Sequence, residues 1–134
     1  MQDRIDTFEE FWPYYVHAHR SPVNRALHYA GTTAALGAVA TAALTLNPAW
    51  LLLAPVAGYG PAWLGHFVFE HNKPATFDHP LWSLRGDLKM YGLALRGQMG
   101  AELERICGGD LPSDPKHGDH LERSASDRGA PAQP

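Results

Sequence analysis

The most prominent feature of the hydrophobic and polar pattern is a long uncharged stretch in the middle of the chain. From Ala26 to Phe69, 44 consecutive positions contain no Asp, Glu, Lys or Arg, about twice the ~20 apolar residues that span a bilayer. Asn47 and Pro48 divide this stretch into two segments, 26–46 and 49–69, of 21 residues each. Since a helix rises about 1.5 Å per residue, each segment is long enough to cross a membrane. The pattern predicts a transmembrane helical hairpin.

Two helices buried inside a soluble protein would give a similar pattern. A chain of 134 residues has little other material with which to cover both helices on all sides, so the membrane interpretation is favoured. The first segment is rich in small residues, and four of them recur along one helix face: Gly31, Ala35, Ala38 and Ala42. Because small side chains let helix backbones approach each other in lipid, we expect close helix packing at this face.

The residues before the hairpin predict a short N-terminal helix. Thr7 and Glu10 have the spacing of a capping box, which marks a helix start. One aromatic face follows before the Ser21–Pro22 turn, formed by Phe8, Phe11, Trp12 and Tyr15. Because Trp and Tyr are favoured where membrane meets water, we expect this helix to lie at the interface.

The residues after the hairpin predict an amphipathic helix and then a tail. Apolar side chains recur at spacings of three and four at Leu81, Leu84, Leu88, Tyr91, Leu95, Met99, Leu103 and Ile106. This spacing favours one helix that lies on the membrane or on the hairpin. Residues 109–134 are rich in Pro, Gly and charge, which predicts disorder. We therefore expect an all-α chain with a single helical membrane domain over residues 1–108.

Charge and cysteine content narrow the function classes. The formal net charge of −3 offers no basic surface for nucleic acid, so we expect no DNA or RNA partner. Cys107 is the only cysteine, which excludes an intrachain disulfide and a cysteine-based zinc site. Basic residues flank the outer ends of the hairpin, whereas its turn carries no charge. The positive-inside tendency then places both termini in the cytoplasm, at a bacterial inner membrane or at the endoplasmic reticulum of a eukaryote.

The turn at residues 47 and 48 brings ionisable groups to a common level. In an antiparallel hairpin centred there, His28 and His66 lie at nearly the same depth, and so do Arg25 and Glu70. His66 and Glu70 are also four residues apart and share a helix face. Ionisable groups at a membrane segment are costly and usually functional, so these four residues form a candidate site at the cytoplasmic mouth of the hairpin.

Several assignments around this mouth stay open. His17 and His19 point to different sides of a helix, and His19 is preferred because it is nearer the turn. Glu70 could bind a metal ion or could pair with Arg25 in an interhelical salt bridge. Asp87 could hydrogen-bond one of the histidines, as carboxylates near metal sites do, or could face water.

Three blocks of sequence resemble the signature blocks of a known family, the Mpo-like small membrane proteins. They are HRSPVNRALHYAGT at 19–32, GYGPAWLGHFVFEHNKPATF at 58–77 and PLWSLRGDLKMY at 80–91, in the family's order. The resemblance implies Fe(II)-dependent dioxygenation of 2-hydroxy fatty acids, an α-oxidation that shortens the chain by one carbon. It also implies metal ligation by His19, His28 and His66. The same blocks contain the other polar residues of the family pattern: Asn24, Arg25, Glu70, Asn72 and Asp87.

The implied chemistry agrees with these residue types. Imidazole with carboxylate is a usual ligand set for non-haem Fe(II), which needs open positions for O2 and substrate. The catalytic candidates are Arg25, Glu70 and Asp87. Arg25 could pair bidentately with the substrate carboxylate, and the acyl tail would then lie along the hairpin. The expected partners are a fatty acyl lipid, O2 and the membrane, and the oligomeric state is left open. Two other functions also stay open: a metal-free membrane scaffold and a zinc-dependent lipid hydrolase.

Overall fold

The computed structural model describes residues 5–108, and this part of the chain is built from helices. Its α-helices are α1 (Phe8–His17), α2 (Pro22–Thr45), α3 (Trp50–Leu64), α4 (Pro80–Leu95) and α5 (Met99–Cys107). α3 runs on into a π-helical segment, Gly65–Glu70, and Ala75–Phe77 forms a single 3₁₀ turn. The predicted all-α class is therefore confirmed for the described range. The predicted disordered tail, residues 109–134, lies outside that range.

The starts of the first two helices follow from local side-chain chemistry. At α1, the backbone N–H of Glu10 donates to Oγ1 of Thr7 at 3.2 Å, and Oε2 of Glu10 accepts from the Thr7 N–H at 3.2 Å. This reciprocal arrangement is the predicted capping box. At α2, Oγ of Ser21 accepts from the Asn24 N–H at 3.3 Å, and Pro22 occupies the first helical position. A turn of four residues, 18–21, therefore separates two well-defined helix ends.

The aromatic face of α1 packs inside the protein. Its buried residues include Phe8, Phe11, Trp12 and Tyr15. They share one hydrophobic core with residues from the C-terminal half, among them Met90, Met99, Leu103 and Cys107. This corrects our expectation that the face meets a membrane interface: α4 and α5 provide an apolar surface that covers it.

The helical hairpin is present, and its two arms approach closely. α2 ends at Thr45 and α3 begins at Trp50, on either side of the predicted turn. A Cβ atom at Gly31 would lie only 2.5 Å from the carbonyl oxygen of Gly58, so the backbones are in direct contact there. Ala38 and Ala42 are also buried. The close packing expected at the small-residue face is confirmed.

This close approach gives a stability prediction. Gly31→Ala should lower the free energy of unfolding by about 1–3 kcal/mol, the usual cost of overpacking, because the new methyl group meets backbone that cannot rotate away. Gly37→Ala in the same helix is the matched control, since no heavy atom lies within 4 Å of a Cβ at Gly37. Thermal unfolding in detergent, followed by circular dichroism, measures both variants. Equal stability of the two variants would contradict the predicted helix contact.

Only one of the two predicted membrane spans is supported by length and composition. Within residues 5–108, the stretch Trp50–Glu70 alone is long and apolar enough to cross a membrane. α2 is a longer helix of 24 residues, but its many Ala, Gly and Thr side chains are less apolar than the leucines of α3. A transmembrane hairpin is therefore not confirmed, although the helical hairpin exists.

The single amphipathic helix expected over residues 81–106 is in fact two helices. α4 ends at Leu95, Gly97 has a left-handed φ of 67°, and α5 begins at Met99. A left-handed glycine just after a helix is a common terminator. Leu95 and Met99 are four residues apart, so the apolar spacing continued across the break and concealed it. The break lets α5 pack against α1.

The π-helical segment at the end of α3 lies beside the first turns of α2. Segments of this kind are rare and often occur at functional sites. Gly65 permits the approach, because a Cβ atom there would overlap Oδ1 of Asn24. His71, which directly follows the segment, has a left-handed φ of 54°. This packing brings His66 next to His28, at the level expected from the hairpin.

Candidate metal centre

His19 reaches the site from the turn between α1 and α2. Its side chain is completely buried, and its ring stacks on that of Tyr15 with centroids 4.0 Å apart. Nδ1 of His19 lies 2.6 Å from the backbone carbonyl oxygen of Tyr15. A carbonyl oxygen only accepts hydrogen bonds, so Nδ1 carries the proton. The lone pair of His19 is therefore on Nε2.

His28, on the second turn of α2, is held by a carboxylate from α4. Its Nδ1 lies 3.0 Å from Oδ1 of Asp87, and the Tyr15 hydroxyl donates to the same oxygen. Burial, and after it the charge of Asp87, raise the pKa of Tyr15 well above its ordinary value, so the hydroxyl stays protonated. Asp87 thus receives two hydrogen bonds, and the lone pair of His28 is also on Nε2.

His66, in the π-helical segment, is held by an amide. Its Nδ1 lies 2.7 Å from Oδ1 of Asn72. The amide nitrogen of Asn72 donates to the carbonyl oxygen of Ala18 at 3.1 Å, which fixes the orientation of the amide group. Oδ1 must then accept from His66, and the third lone pair is on Nε2 as well.

The three Nε2 atoms lie close together. Nε2 of His28 lies 3.1 Å from Nε2 of His19 and 3.2 Å from Nε2 of His66, and the candidate ligand atoms all lie within 4.8 Å of one another. Two nitrogens that bind one ion at about 2.0–2.1 Å are roughly 3.0–3.4 Å apart. The two distances from His28 therefore fit coordination of a single metal ion.

A bound metal cation stabilises the three neighbouring nitrogen lone pairs better than a proton does. Three nitrogen lone pairs at this spacing repel one another unless a positive charge lies between them. Burial, and then the proximity of His28 and His66, lower the pKa of His19 well below its ordinary value, which disfavours protonation of that ring. Neutral imidazole is the form that binds metal. The donor set suits a divalent transition metal such as iron or zinc.

Arg25 and Glu70 are placed near the cluster but do not pair with each other in the contacts found over residues 5–108. Nη1 of Arg25 donates to the carbonyl oxygens of His19 at 2.9 Å and Arg20 at 2.7 Å. Oε1 of Glu70 accepts from the backbone N–H of Ser21 at 2.5 Å. Both side chains therefore bind the backbone of the turn that carries His19, instead of forming an interhelical salt bridge.

The remaining histidines of the described range lie outside the cluster. His17 is exposed at the end of α1, with Nδ1 3.7 Å from Sγ of Cys107. His71 is exposed after the π-helical segment, and His79 precedes α4 with its ring stacked on Trp82. The three-histidine group consists of the same residues that were expected as ligands, His19, His28 and His66.

Tyr15 is part of the site, whereas the sequence pattern predicted it only as part of an aromatic face. Its ring and its backbone carbonyl contact His19, and its hydroxyl donates to Asp87. Gly86 makes room for it, because a Cβ atom there would lie 2.9 Å from the Tyr15 ring. Tyr15 and His19 are four residues apart, but His19 lies in the turn after α1, so helix spacing in the sequence gave no signal for this contact.

The fold and the site together define a small helical protein with a candidate three-histidine metal centre. The sequence pattern of the family described as 2-hydroxy-palmitic acid dioxygenase Mpo1-like matches residues 5–99. The chain therefore belongs to this family. Searches of curated proteins and of solved structures give no match.

Proposed function

We propose that this protein is an Fe(II)-dependent dioxygenase that shortens 2-hydroxy fatty acids by one carbon. The observation that carries the proposal is a group of three buried histidines with their Nε2 lone pairs close together. In each ring, Nδ1 donates its proton to a hydrogen-bond acceptor. The family's description supports a dioxygenase acting on a 2-hydroxy fatty acid. Iron is our choice of metal because it is the ion that commonly activates oxygen at open histidine sites.

In this proposal the protein's own side chains hold and orient the centre. His19, His28 and His66 are the metal ligands, and Asp87 and Asn72 keep two of the rings in the correct tautomer. Arg25 and Glu70 are positioning residues, because they fix the backbone of the turn that presents His19. When bound, Fe(II) would supply open coordination positions and the electrons that start the reaction of oxygen with substrate.

The proposed reaction balances without a further reductant. One molecule of O2 and one of R–CH(OH)–COOH give R–COOH, CO2 and water. The carbon–carbon bond between C1 and C2 breaks, C2 becomes the new carboxyl carbon, and the substrate supplies all the electrons that reduce oxygen. The reaction therefore predicts equal amounts of oxygen consumed and of CO2 released from C1.

We also propose that the hairpin lies in a membrane with both chain termini on the cytoplasmic side. Near its tip, Leu44, Leu46 and Leu52 are 86%, 89% and 77% exposed. An apolar surface of this kind is unfavourable in water and is typical of contact with lipid or protein. The basic residues that flank the hairpin lie at its other end, which supports this orientation.

Metal analysis and oxygen consumption test the proposed function. Full-length protein, purified in detergent without oxygen, should bind about one Fe(II) per chain, as expected for a single site. Addition of a long-chain 2-hydroxy acid with air should then consume oxygen and release labelled CO2 from C1. The matched 3-hydroxy acid should remain unchanged, because it lacks the hydroxyl group at C2.

Two results would overturn this assignment. Protein that binds no transition metal under these conditions would exclude both metal-dependent functions and leave the scaffold. Zinc-dependent cleavage of a lipid ester in the absence of oxygen would instead identify a hydrolase, since three histidines and an open position also form catalytic zinc sites.

A further inference from the structure

A cavity of about 360 Å³ lies along the hairpin and reaches His28, one of the three candidate metal ligands. His28 and Asp87 line one end of it. The remaining lining is mostly apolar and includes Leu36 and Val39 of α2 and Ala54 of α3. The volume is within the usual range of small-molecule sites, about 300–1,000 Å³. One polar end and a long apolar body are features of a site for an amphipathic ligand.

We propose that this cavity binds the acyl chain of the substrate in an extended form, with its head toward the end lined by His28, and that Ala54 helps to set the preferred chain length. The inference rests on the proposed function for the identity of the head group. The occupant is a single fatty chain because the polar end of the cavity is formed by a ligand of the candidate centre and its hydrogen-bond partner.

The length and the volume of the cavity indicate a similar number of acyl carbons. His28 and Val39 are eleven positions apart in α2, which corresponds to about 16 Å at 1.5 Å per residue. An extended hydrocarbon advances about 1.3 Å per bond, given a bond length near 1.5 Å, so about a dozen carbons cover this distance. The volume gives a similar number, since a methylene group is about as large as a water molecule, ~30 Å³.

Ala54 is suited to control this length because it lines the cavity and is only partly buried. Leucine at this position would occupy space that the distal methylene groups need. Each methylene group transferred from water to an apolar site changes Kd by about fourfold. Displacement of about two such groups should therefore weaken binding of a long chain about fifteenfold, whereas a short chain that does not reach Ala54 keeps its affinity.

Competition binding tests this inference separately from catalysis. Full-length protein in detergent, as purified and after chelation of metal, is titrated with eight- and sixteen-carbon 2-hydroxy acids against a fluorescent fatty acid. Ala54→Leu should lose about fifteenfold in affinity for the longer acid only. Ala40→Leu is the matched control, because Ala40 is exposed on α2 and does not line the cavity. Circular dichroism verifies that both variants are folded.

The outcomes separate the two proposals. A selective loss for the longer acid in Ala54→Leu supports the acyl site even if the wild type binds no iron, in which case only the dioxygenase assignment fails. Equal effects of Ala54→Leu on both acids, no effect on either, or the same effect from Ala40→Leu would overturn the acyl site, whatever the metal content.

Discussion

His28→Ala is expected to abolish stoichiometric binding of transition metal. Nε2 of His28 is the central atom of the cluster, 3.1 Å from its counterpart in His19 and 3.2 Å from that in His66. Without it, two ligands remain and the Asp87 carboxylate loses its imidazole partner. Loss of groups that only orient metal ligands costs about 10- to 100-fold in affinity, so removal of a ligand should cost at least about 100-fold. Elemental analysis after gel filtration measures the loss.

His17→Ala is the matched control for this experiment. His17 is near the cluster in sequence but is exposed and contacts Cys107 instead, so its removal should leave the metal content unchanged. Both variants should keep their helical circular dichroism. Retention of one metal ion per chain in folded His28→Ala would show that the ion binds elsewhere and would remove the basis of the proposed centre.

Much of the site could be predicted because helix geometry relates sequence spacing to position. Two antiparallel helices joined at a known turn place His28 and His66 at one level, and the structure has their Nε2 atoms in contact. The capping box at Thr7 was equally readable, since it depends on residues three apart. Local chemistry and a regular period are enough for inferences of this kind.

The contacts of the turn between α1 and α2 could not be predicted in the same way. Residues 18–21 have no helical period, so the spacing of His17 and His19 gave only a preference between them. Arg25 and Glu70 were expected at one level, with Glu70 either paired with Arg25 or bound to a metal ion. In the structure both bind backbone groups of this turn instead. Buried backbone donors and acceptors need partners, and sequence patterns do not reveal where such groups become buried.

The absence of charge and the hydropathy of a helix lead to different numbers of predicted membrane spans. The absence of charge over residues 26–69 predicted two spans. α2 is long enough, yet its small residues serve contact between the helices: Gly31 lies against Gly58. Small side chains favour helix association but add little hydropathy, so only the Leu-rich second arm qualifies as a span.

Removal of the Asp87 carboxylate, which accepts a hydrogen bond from His28, should also have a large effect on metal affinity. Asp87→Ala is expected to weaken metal binding by about 10- to 100-fold, because Nδ1 of His28 and the Tyr15 hydroxyl both lose their acceptor. Asp87→Asn keeps an oxygen that can accept but removes the charge, so its affinity should be intermediate. Competition with a chelating dye measures each Kd. Asp78→Asn is the control, since Asp78 is paired with Lys73 at the surface, where ion pairs contribute little.

Tyr15→Phe distinguishes the effect of the hydroxyl on the orientation of His28 from the effect of the ring on packing. Phenylalanine retains the ring that stacks on His19 and removes only the hydroxyl that donates to Asp87. If Asp87 acts by holding His28, the loss in metal affinity should be smaller than in Asp87→Ala, about tenfold or less, while the unfolding temperature changes little. If Tyr15→Phe and Asp87→Ala instead lower the unfolding temperature and leave metal affinity unchanged, this network only supports the fold. A loss of affinity without loss of stability would identify Asp87 as the group that orients His28 toward the ion.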